Sequence, residues 1–268
     1  KKVLFVTVSA DVQADRIEVE FKGWGVGREC WSIEHRVLMG DTTKNEVWQE
    51  LEKIPLMQIE REDGALLPIR LMGVDSGYNT SKVYDFVRKF TPNKVIALKG
   101  DSNKQALYRT PTAVDVNADG KKSRRSLKVW PVSVDLLKSE LYSLLRLEKP
   151  TDEELLANGG VFPEGYCHYP EYGEEYFKQL SAEALTKRVV KGFTHYEWVK
   201  TRDRNEALDL HVYNRALASI VGIDRFKEQH WLELGADISN TIRQETKNQN
   251  PAPYENRSRR FRKSGFWR

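Results

Sequence analysis

The segment that most constrains the fold is residues 16–24, in which apolar and charged side chains alternate. The side chains of a β-strand point to opposite faces in turn, so this period of two predicts a strand with one face on a core and the other in solvent. Residues 3–8 and 29–38 are predicted strands on either side of it, and the three indicate an antiparallel meander. The apolar face of this central strand consists of Ile17, Val19 and Phe21, and the charged face consists of Glu18, Glu20 and Lys22.

Beyond the meander, two predicted helices alternate with two further apolar strands. Residues 41–43 are typical of a helix N-terminus, and a strand over 66–74 follows that helix. A second helix begins at residues 80–81, and a fifth strand covers 94–98. The resulting order, β-β-β-α-β-α-β, predicts an α/β protein with a mixed β-sheet flanked by helices.

The rest of the chain predicts a hairpin, several helices and a tail. Residues 102–128 are polar and contain a favourable turn, Ala118-Asp119-Gly120, which indicates a basic β-hairpin insertion. From residue 239 the chain is polar and loses periodicity, as in a mobile C-terminal tail. We therefore expect one domain over residues 1–237 and a polar, basic tail over 238–268. Helices are predicted at 134–147, 151–156, 173–186 and 205–220, and extended segments at 161–168 and 196–200.

The composition excludes several classes of protein. The 268 residues are 40% hydrophobic and 31% charged, as expected for a globular protein with a core. No apolar run approaches the roughly 20 residues of a membrane-spanning helix. The two cysteines form no CxxC pair, which argues against a zinc knuckle and for reduced thiols inside a cell. Walker A, GxSxG and HExxH motifs are absent, and since the chain does not begin with Met, we expect it to be part of a longer protein.

Basic residues are concentrated in two clusters, which favours a polyanionic partner although the net charge is only +4. The alternative is that they only solvate a hairpin and a tail. His168 is a further candidate for approaching DNA, whereas His195 and His211 are expected to be polar surface groups, and none of the three to be catalytic. The clusters comprise Lys121, Lys122, Arg124 and Arg125 in the insertion, and Arg257, Arg259, Arg260, Arg262 and Lys263 in the tail.

Two aspartates occupy equivalent places at the ends of strands. Asp11 follows the first strand and Asp75 follows the fourth. If these strands are neighbours, both carboxylates emerge at one edge of the sheet, where a divalent cation would relieve their repulsion. Asp209, in the first part of the amphipathic helix, is the best candidate for a third ligand, and Glu206, less than one turn away, remains an alternative or additional one.

Carboxylate oxygens are hard ligands that favour Mg²⁺ or Mn²⁺. Two such ions can hold both the attacking water and the leaving oxygen of a phosphodiester, and in this hypothesis Asp11 bridges them while Asp75 and Asp209 hold one each. Each aspartate alone is equally typical of a turn or a helix terminus. Asp101, after the fifth strand, and Asp135, which is expected to cap a helix, are competing candidates.

Several ordered segments resemble the nuclease half of the phage terminase large subunit, GpA family (lambda-like). They are SADVQ at 9–13, GVDSG at 73–77, YCHYP at 166–170, EWVK at 197–200 and RNEALD at 204–209. The resemblance, which spans roughly residues 5 to 222, implies an RNase H-like core and a metal-dependent endonuclease that cuts concatemeric viral DNA. It implies that Asp11, Asp75 and Asp209 are the catalytic acids.

The resemblance also implies the setting in which such a nuclease works. The expected partners are double-stranded DNA, a terminase small subunit and a portal or procapsid, the last contacted through the basic tail. An ATPase motor domain is expected in the full-length protein, and the host cytoplasm is the expected location. Two other interpretations stay open: another RNase H-like nuclease of the resolvase or integrase type, and a non-catalytic module that binds DNA or a portal.

Overall fold

A large mixed sheet carries the fold in a computed structural model, which describes residues 2–101, 105–114 and 126–249. The strands are β1 Phe5–Val12, β2 Arg16–Trp24, β3 Cys30–Met39, β4 Gln58–Glu60, β5 Leu66–Asp75, β6 Val95–Asp101, β7 Thr112–Ala113, β8 Lys128–Ser133, β9 Cys167–His168, β10 Glu183–Val190 and β11 Phe193–Lys200. The helices are α1 Glu46–Lys53, α2 Thr80–Val87, α3 Val134–Leu144, α4 Asp152–Ala157, α5 Glu174–Leu180, α6 Glu206–Val221 and α7 Glu228–Gln249. Among these helices, none combines the length and apolarity needed to cross a membrane.

The strand order in the large sheet is β7-β8-β6-β5-β1-β2-β3-β9, with β4 added beside β5. The strands β1, β2 and β3 pair antiparallel, which confirms the predicted meander. The strand β1 pairs parallel with β5, and parallel pairing continues through β6 to β8. This mixed α/β architecture fits the RNase H-like fold that the resemblance implies.

Helices cover both faces of the sheet, so each face of β1 is buried. Val6, Val8 and Ala10 belong to an apolar core that includes side chains of α1 and α2. A second core, on the opposite face, joins α3, α5 and α6 to β5 and β6. The alternate residues of β1, which include Asp11, face α6 on this second side.

Glycine at position 73 permits a close approach between β5 and α6. A Cβ atom added at Gly73 would lie 2.9 Å from Cδ2 of Leu217, which belongs to α6, and 2.5 Å from Cδ1 of Leu98. Atoms at these distances overlap, so a larger residue would force the helix or the side chains to move. The small residue thus permits close packing between the helix that carries Asp209 and the strand that ends at Asp75.

The expectation that one face of β2 is solvated is wrong. Glu18, Glu20 and Lys22 have no exposed surface, because α6 packs across this face of β2. The charged groups are matched where they are buried: Lys22 Nζ lies 3.2 Å from Glu20 Oε1 and 2.6 Å from His211 Nδ1. The expected exposure of His211 is wrong for the same reason, since only 3% of this residue is accessible.

The segment expected to be one helix over 173–186 instead forms α5 and then the strand β10. The strand pairs with β11 in a separate two-stranded antiparallel sheet, so the predicted strand at 196–200 is longer and has a partner. The helix α7 also continues to Gln249, through polar sequence expected to be irregular from residue 239.

The two predicted basic clusters lie outside the described residues. The insertion is described only at its base, where β7 pairs antiparallel with β8. The residues concerned are Lys121, Lys122, Arg124 and Arg125, and in the tail Arg257, Arg259, Arg260, Arg262 and Lys263.

Candidate active site

Asp11 and Asp75 lie side by side at one edge of the sheet. In the parallel pairing of β1 with β5, Ser9 is opposite Gly73 and Ala10 is opposite Val74, so the two aspartates occupy the next level. Neighbouring strands are roughly 4.8 Å apart, and residues at one level point to the same face. The prediction that these two strands are neighbours is therefore confirmed. Both carboxylates face α6.

Two buried hydrogen bonds hold α6 over β1. Ser9 Oγ donates to the Leu210 carbonyl oxygen at 2.8 Å, and the Thr7 hydroxyl lies 2.8 Å from Asn214 Oδ1. These contacts follow one face of β1 toward Asp11, and Asp209 precedes Leu210 on the helix. The helix therefore brings Asp209 to the edge where β1 and β5 end.

The electrostatics of the three aspartates reflect a shortage of positive charge. Burial, followed by the negative charge of Asp209, raises the pKa of Asp11 to about 7. Burial also raises the pKa of Asp75 and raises that of Asp209 to about 6, although Lys138 partly opposes the second shift. Three carboxylates that burial and mutual repulsion make hard to ionise form a site that a cation would stabilise.

Each aspartate has a hydrogen-bond donor that orients it. Gln13 Nε2 donates to Asp11 Oδ2 at 2.7 Å, and Asn205 Nδ2 donates to Asp209 Oδ2 at 3.0 Å. Lys138 Nζ lies 3.8 Å from Asp209 Oδ1. The sequence analysis assigned a role to none of these three partners: Gln13 and Asn205 lie in the segments 9–13 and 204–209 that carry the resemblance, and Lys138 is distant along the chain.

Tyr213 is a further site residue that sequence reasoning missed. Its hydroxyl donates to Asp75 Oδ1 at 2.8 Å, while the backbone N–H of Gly77 donates to Asp75 Oδ2 at 3.2 Å. Burial and the Asp75 carboxylate raise the pKa of Tyr213 well above its usual value, so the hydroxyl stays a donor. Its spacing of four residues from Asp209, one helical turn, is the signal that could have revealed it.

Glu206 is committed to arginines instead of to the aspartates. It forms ion pairs with Arg16 and, at 3.4 Å, with Arg204, and both arginines also pair with Glu18. A carboxylate held by two guanidinium groups has little need of a cation. Of the two candidates for the third acid, Glu206 is therefore the one that already has arginine partners.

The two competing acids have other surroundings. Asp101, at the end of β6, forms an ion pair with Arg109. Asp135 lies in the first turn of α3, where Ser133 is the N-cap residue, so the predicted capping position belongs to Ser133.

The donor set fits a hard divalent cation, although the side chains are not arranged as a preformed cage. Among the described residues, no group of three or more His, Cys, Asp or Glu side chains has the geometry of a metal site. Asp11, Asp75 and Asp209 are directed instead to their separate donors. Their oxygen chemistry and their uncompensated charge are the features that suit Mg²⁺ or Mn²⁺.

His168 and the cysteines lie away from this edge. His168 stacks on Trp31 with ring centroids 5.0 Å apart and bonds Glu29 Oε1 at 2.8 Å. Cys30 and Cys167 face each other across β3 and β9, with Sγ atoms 2.8 Å apart. All of these residues lie at the opposite end of β2 and β3 from Asp11.

Known sequences similar to this chain point to one group of viral proteins. Residues 1–231 match the family model described as terminase large subunit gpA, endonuclease domain. The chain is 28% identical over 232 residues to the terminase large subunit of Escherichia phage lambda, and 25% identical over 228 residues to that of Enterobacteria phage P21. Each alignment covers 84% of this chain and 34% of the relative, so the chain spans about a third of the length of these proteins.

Proposed function

The chain belongs to the family of terminase large subunit gpA endonuclease domains, and from this premise we propose that it cuts viral DNA by metal-dependent phosphodiester hydrolysis. The observation that carries the proposal is the convergence of three acids from distant parts of the sequence. Asp11 and Asp75 share one level of the sheet, and the overlying helix supplies Asp209. Their burial and raised pKa values support a role for bound cations.

In the proposed mechanism, Asp11, Asp75 and Asp209 are the residues that would hold the Mg²⁺ or Mn²⁺ ions. When bound, such ions lower the pKa of water and offset the charge that develops on the phosphate. Gln13 and Tyr213 fix the orientation of the Asp11 and Asp75 carboxylates, which restricts the positions that a cation can occupy. The positive charge of Lys138, 3.8 Å from Asp209, partly offsets the negative charge of that carboxylate.

The biological setting is also part of the proposal. The relatives are named as terminase large subunits, and the family resemblance implies a double-stranded DNA substrate, a small subunit and a procapsid portal. For this chain we propose the same substrate and partners, in a host cytoplasm, with a motor ATPase elsewhere in the full-length protein. The insertion cluster at 121–125 and the tail at 257–268 remain predicted contacts to DNA or portal.

The decisive experiment follows the conversion of a supercoiled plasmid to nicked and linear forms with Mn²⁺ or Mg²⁺, and with EDTA. We expect EDTA to abolish cleavage, and Asp11→Asn, Asp75→Asn and Asp209→Asn each to slow it by at least about a hundredfold, since losing a metal ligand removes several kcal/mol of transition-state stabilisation. Asp85→Asn is the matched control, because Asp85 is an exposed acid of α2 that pairs only locally with Arg88. Full activity of Asp11→Asn would refute the mechanism.

A further inference from the structure

The hairpin formed by β10 and β11 is a two-stranded sheet separate from the large sheet, and its base lies beside the candidate active site. Its strands pair over their whole length, from Glu183 opposite Lys200 to Val190 opposite Phe193. Each strand has eight residues, which corresponds to a reach of roughly 25 Å. Nearly all described side chains of the outer part are exposed, so the hairpin presents a long surface to a partner.

The base of the hairpin is joined to the candidate active site. Glu183 accepts two hydrogen bonds from Lys138 Nζ, at 2.8 and 2.9 Å, and the same ammonium group lies 3.8 Å from Asp209. From the other strand, Lys200 Nζ donates to Asn205 Oδ1 at 2.7 Å, and Asn205 donates to Asp209. The start of β10 and the end of β11 therefore lie beside a proposed catalytic acid.

One face of the hairpin continues outward from this base, and we call it the site face. Side chains alternate along a strand, so the residues on the same face as Glu183 and Lys200 follow from the pairing. Near the base this face packs on α3, where Trp198 lies 5.0 Å from the Tyr142 ring. Beyond Trp198, the site face consists of Leu185, Lys187, Val189, Thr194 and Tyr196.

The exposed part of the hairpin is cationic and partly apolar. Residues 185–196 contain Lys187, Arg188 and Lys191 but no acid. Of these, Arg188 pairs with Glu197, whereas Lys187 and Lys191 have no ion-pair partner within the described ranges. Tyr196 is directly opposite Lys187 in the strand pairing and is 56% exposed, so an accessible aromatic side chain and a lysine occupy one level of the site face.

The turn at the tip presents a further basic side chain. Lys191 and Gly192 form a two-residue link with φ values of 51° and 82°, the arrangement of a type I′ turn. Asn or Gly usually occupies the first of these positions, because other residues are strained at positive φ. Lysine at this position thus adds a charge at the outermost point of the hairpin at some cost in backbone energy.

We propose that the β10–β11 hairpin binds duplex DNA next to the scissile phosphate, with Lys187 and Lys191 contacting phosphates and Tyr196 contacting the groove. A polyanion matches the charge of the surface, and a two-stranded ribbon fits the major groove, which is about 12 Å wide. The proposal rests on the proposed function, because it identifies the surface that guides the same substrate to the same acids.

The test measures the affinity of the full chain for a fluorescent 30-base-pair duplex in EDTA, where cleavage does not occur. Lys187→Glu/Lys191→Glu is compared with Lys53→Glu/Lys89→Glu, which makes the same change in net charge at two exposed lysines, one at the end of α1 and one just after α2. We expect at least about tenfold weaker binding for the hairpin variant, with a salt dependence of log Kd shallower by about 2, because two phosphate contacts are lost. The control should change affinity by less than about threefold.

A second measurement uses the wild-type protein, so its result does not depend on whether a variant folds. Lysine acetylation followed by mass spectrometry, with and without duplex, should show protection at Lys187 and Lys191 and none at Lys53 and Lys89. Equal loss of affinity in both double variants, or hairpin lysines that duplex does not protect, would overturn the proposal. Because binding is measured without metal, a wild-type protein that binds DNA through the hairpin but never cuts it contradicts the proposed function and leaves the hairpin proposal standing.

Discussion

The hydroxyl of Tyr213 donates a 2.8 Å hydrogen bond to Asp75, and this bond ties the helix that carries one candidate acid to the strand that ends in another. Tyr213 lies one turn after Asp209 on α6. The helix therefore contributes both an acid and an orienting donor. The relative placement of Asp75 and Asp209 depends on this contact as well as on the packing beneath it.

We expect Tyr213→Phe to keep the fold and to weaken the metal site. A hydrogen bond to a charged group contributes roughly 1.5–3 kcal/mol, so cleavage should slow by about tenfold or more, and half-maximal activity should need more Mn²⁺. The measurement is a Mn²⁺ titration of plasmid nicking. Tyr84→Phe, in the core on the other face of the sheet, serves as control, and equal behaviour of the two variants would remove Tyr213 from the site.

Asp11→Asn should make the metal-free protein more stable while abolishing cleavage. The folded pKa of Asp11, about 7, lies above the ordinary 3.8, so the folded state holds a proton that the unfolded state releases between these values. Ionised Asp11 thus destabilises the fold increasingly from pH 4 to 7 and fully above 7. In EDTA we expect a Tm rise of about 5 °C at pH 8 and almost none at pH 4, measured by thermal unfolding. A lower Tm at pH 8 would contradict this account.

Glu18 should show the opposite dependence on pH. Although burial alone would raise its pKa, hydrogen bonds from His35 and Arg16 hold the pKa of Glu18 at about 2, below the ordinary 4.5. Its contribution to stability is present above pH 4.5 and is lost as the pH falls toward 2.

We therefore expect Glu18→Gln to cost on the order of 3 kcal/mol at pH 7, where it removes a fully buried carboxylate that Arg16 and Arg204 share and leaves them Glu206, and distinctly less at pH 3. Urea unfolding of both proteins at the two pH values measures the difference. A cost that does not change with pH would show that packing, and not charge, is what the glutamate contributes.

Gly73→Ala should destabilise the protein and slow cleavage together. The added methyl group overlaps Leu98 and Leu217, and such overpacking costs about 1–3 kcal/mol. We expect α6 to shift as well as the two leucine side chains, which would move Asp209 relative to Asp75. Gly235→Ala is the contrasting variant, since nothing lies within 4 Å of its added Cβ and alanine favours a helix by up to about 1 kcal/mol. Urea unfolding and nicking rates should show a loss of stability and activity for Gly73→Ala and not for Gly235→Ala. A stable, active Gly73→Ala protein would show that the packing between β5 and α6 accommodates the extra methyl group.

Local patterns in the sequence were sufficient to predict the meander, the later strands and the edge where Asp11 and Asp75 meet. Each of these features depends on the period of a short segment and on the residues at its end. The helix at 205–220 was likewise predicted to within a residue, because its apolar spacing is regular. The chemistry of the carboxylates followed from their positions in these elements.

The features that escaped prediction depend on partners far away in the sequence. The strand β10 begins with Glu183, Ala184 and Leu185, which favour a helix, and only pairing with β11 makes them extended. The charged face of β2 has the same alternation whether water or another element covers it. The helix that does cover it begins 190 residues after Arg16 and contributes His211 to Lys22.

The buried ion pairs between β2 and α6 restrict how this domain can be recombined with its relatives. Lys22, Glu20 and His211 neutralise or hydrogen-bond one another where no solvent reaches them. A chimera that took its first strands from one phage and its long helix from another would leave an ionised group stranded in the interior, at a cost of several kcal/mol. Viable crossovers should therefore exchange these two distant segments together, even though almost the entire domain separates them along the gene.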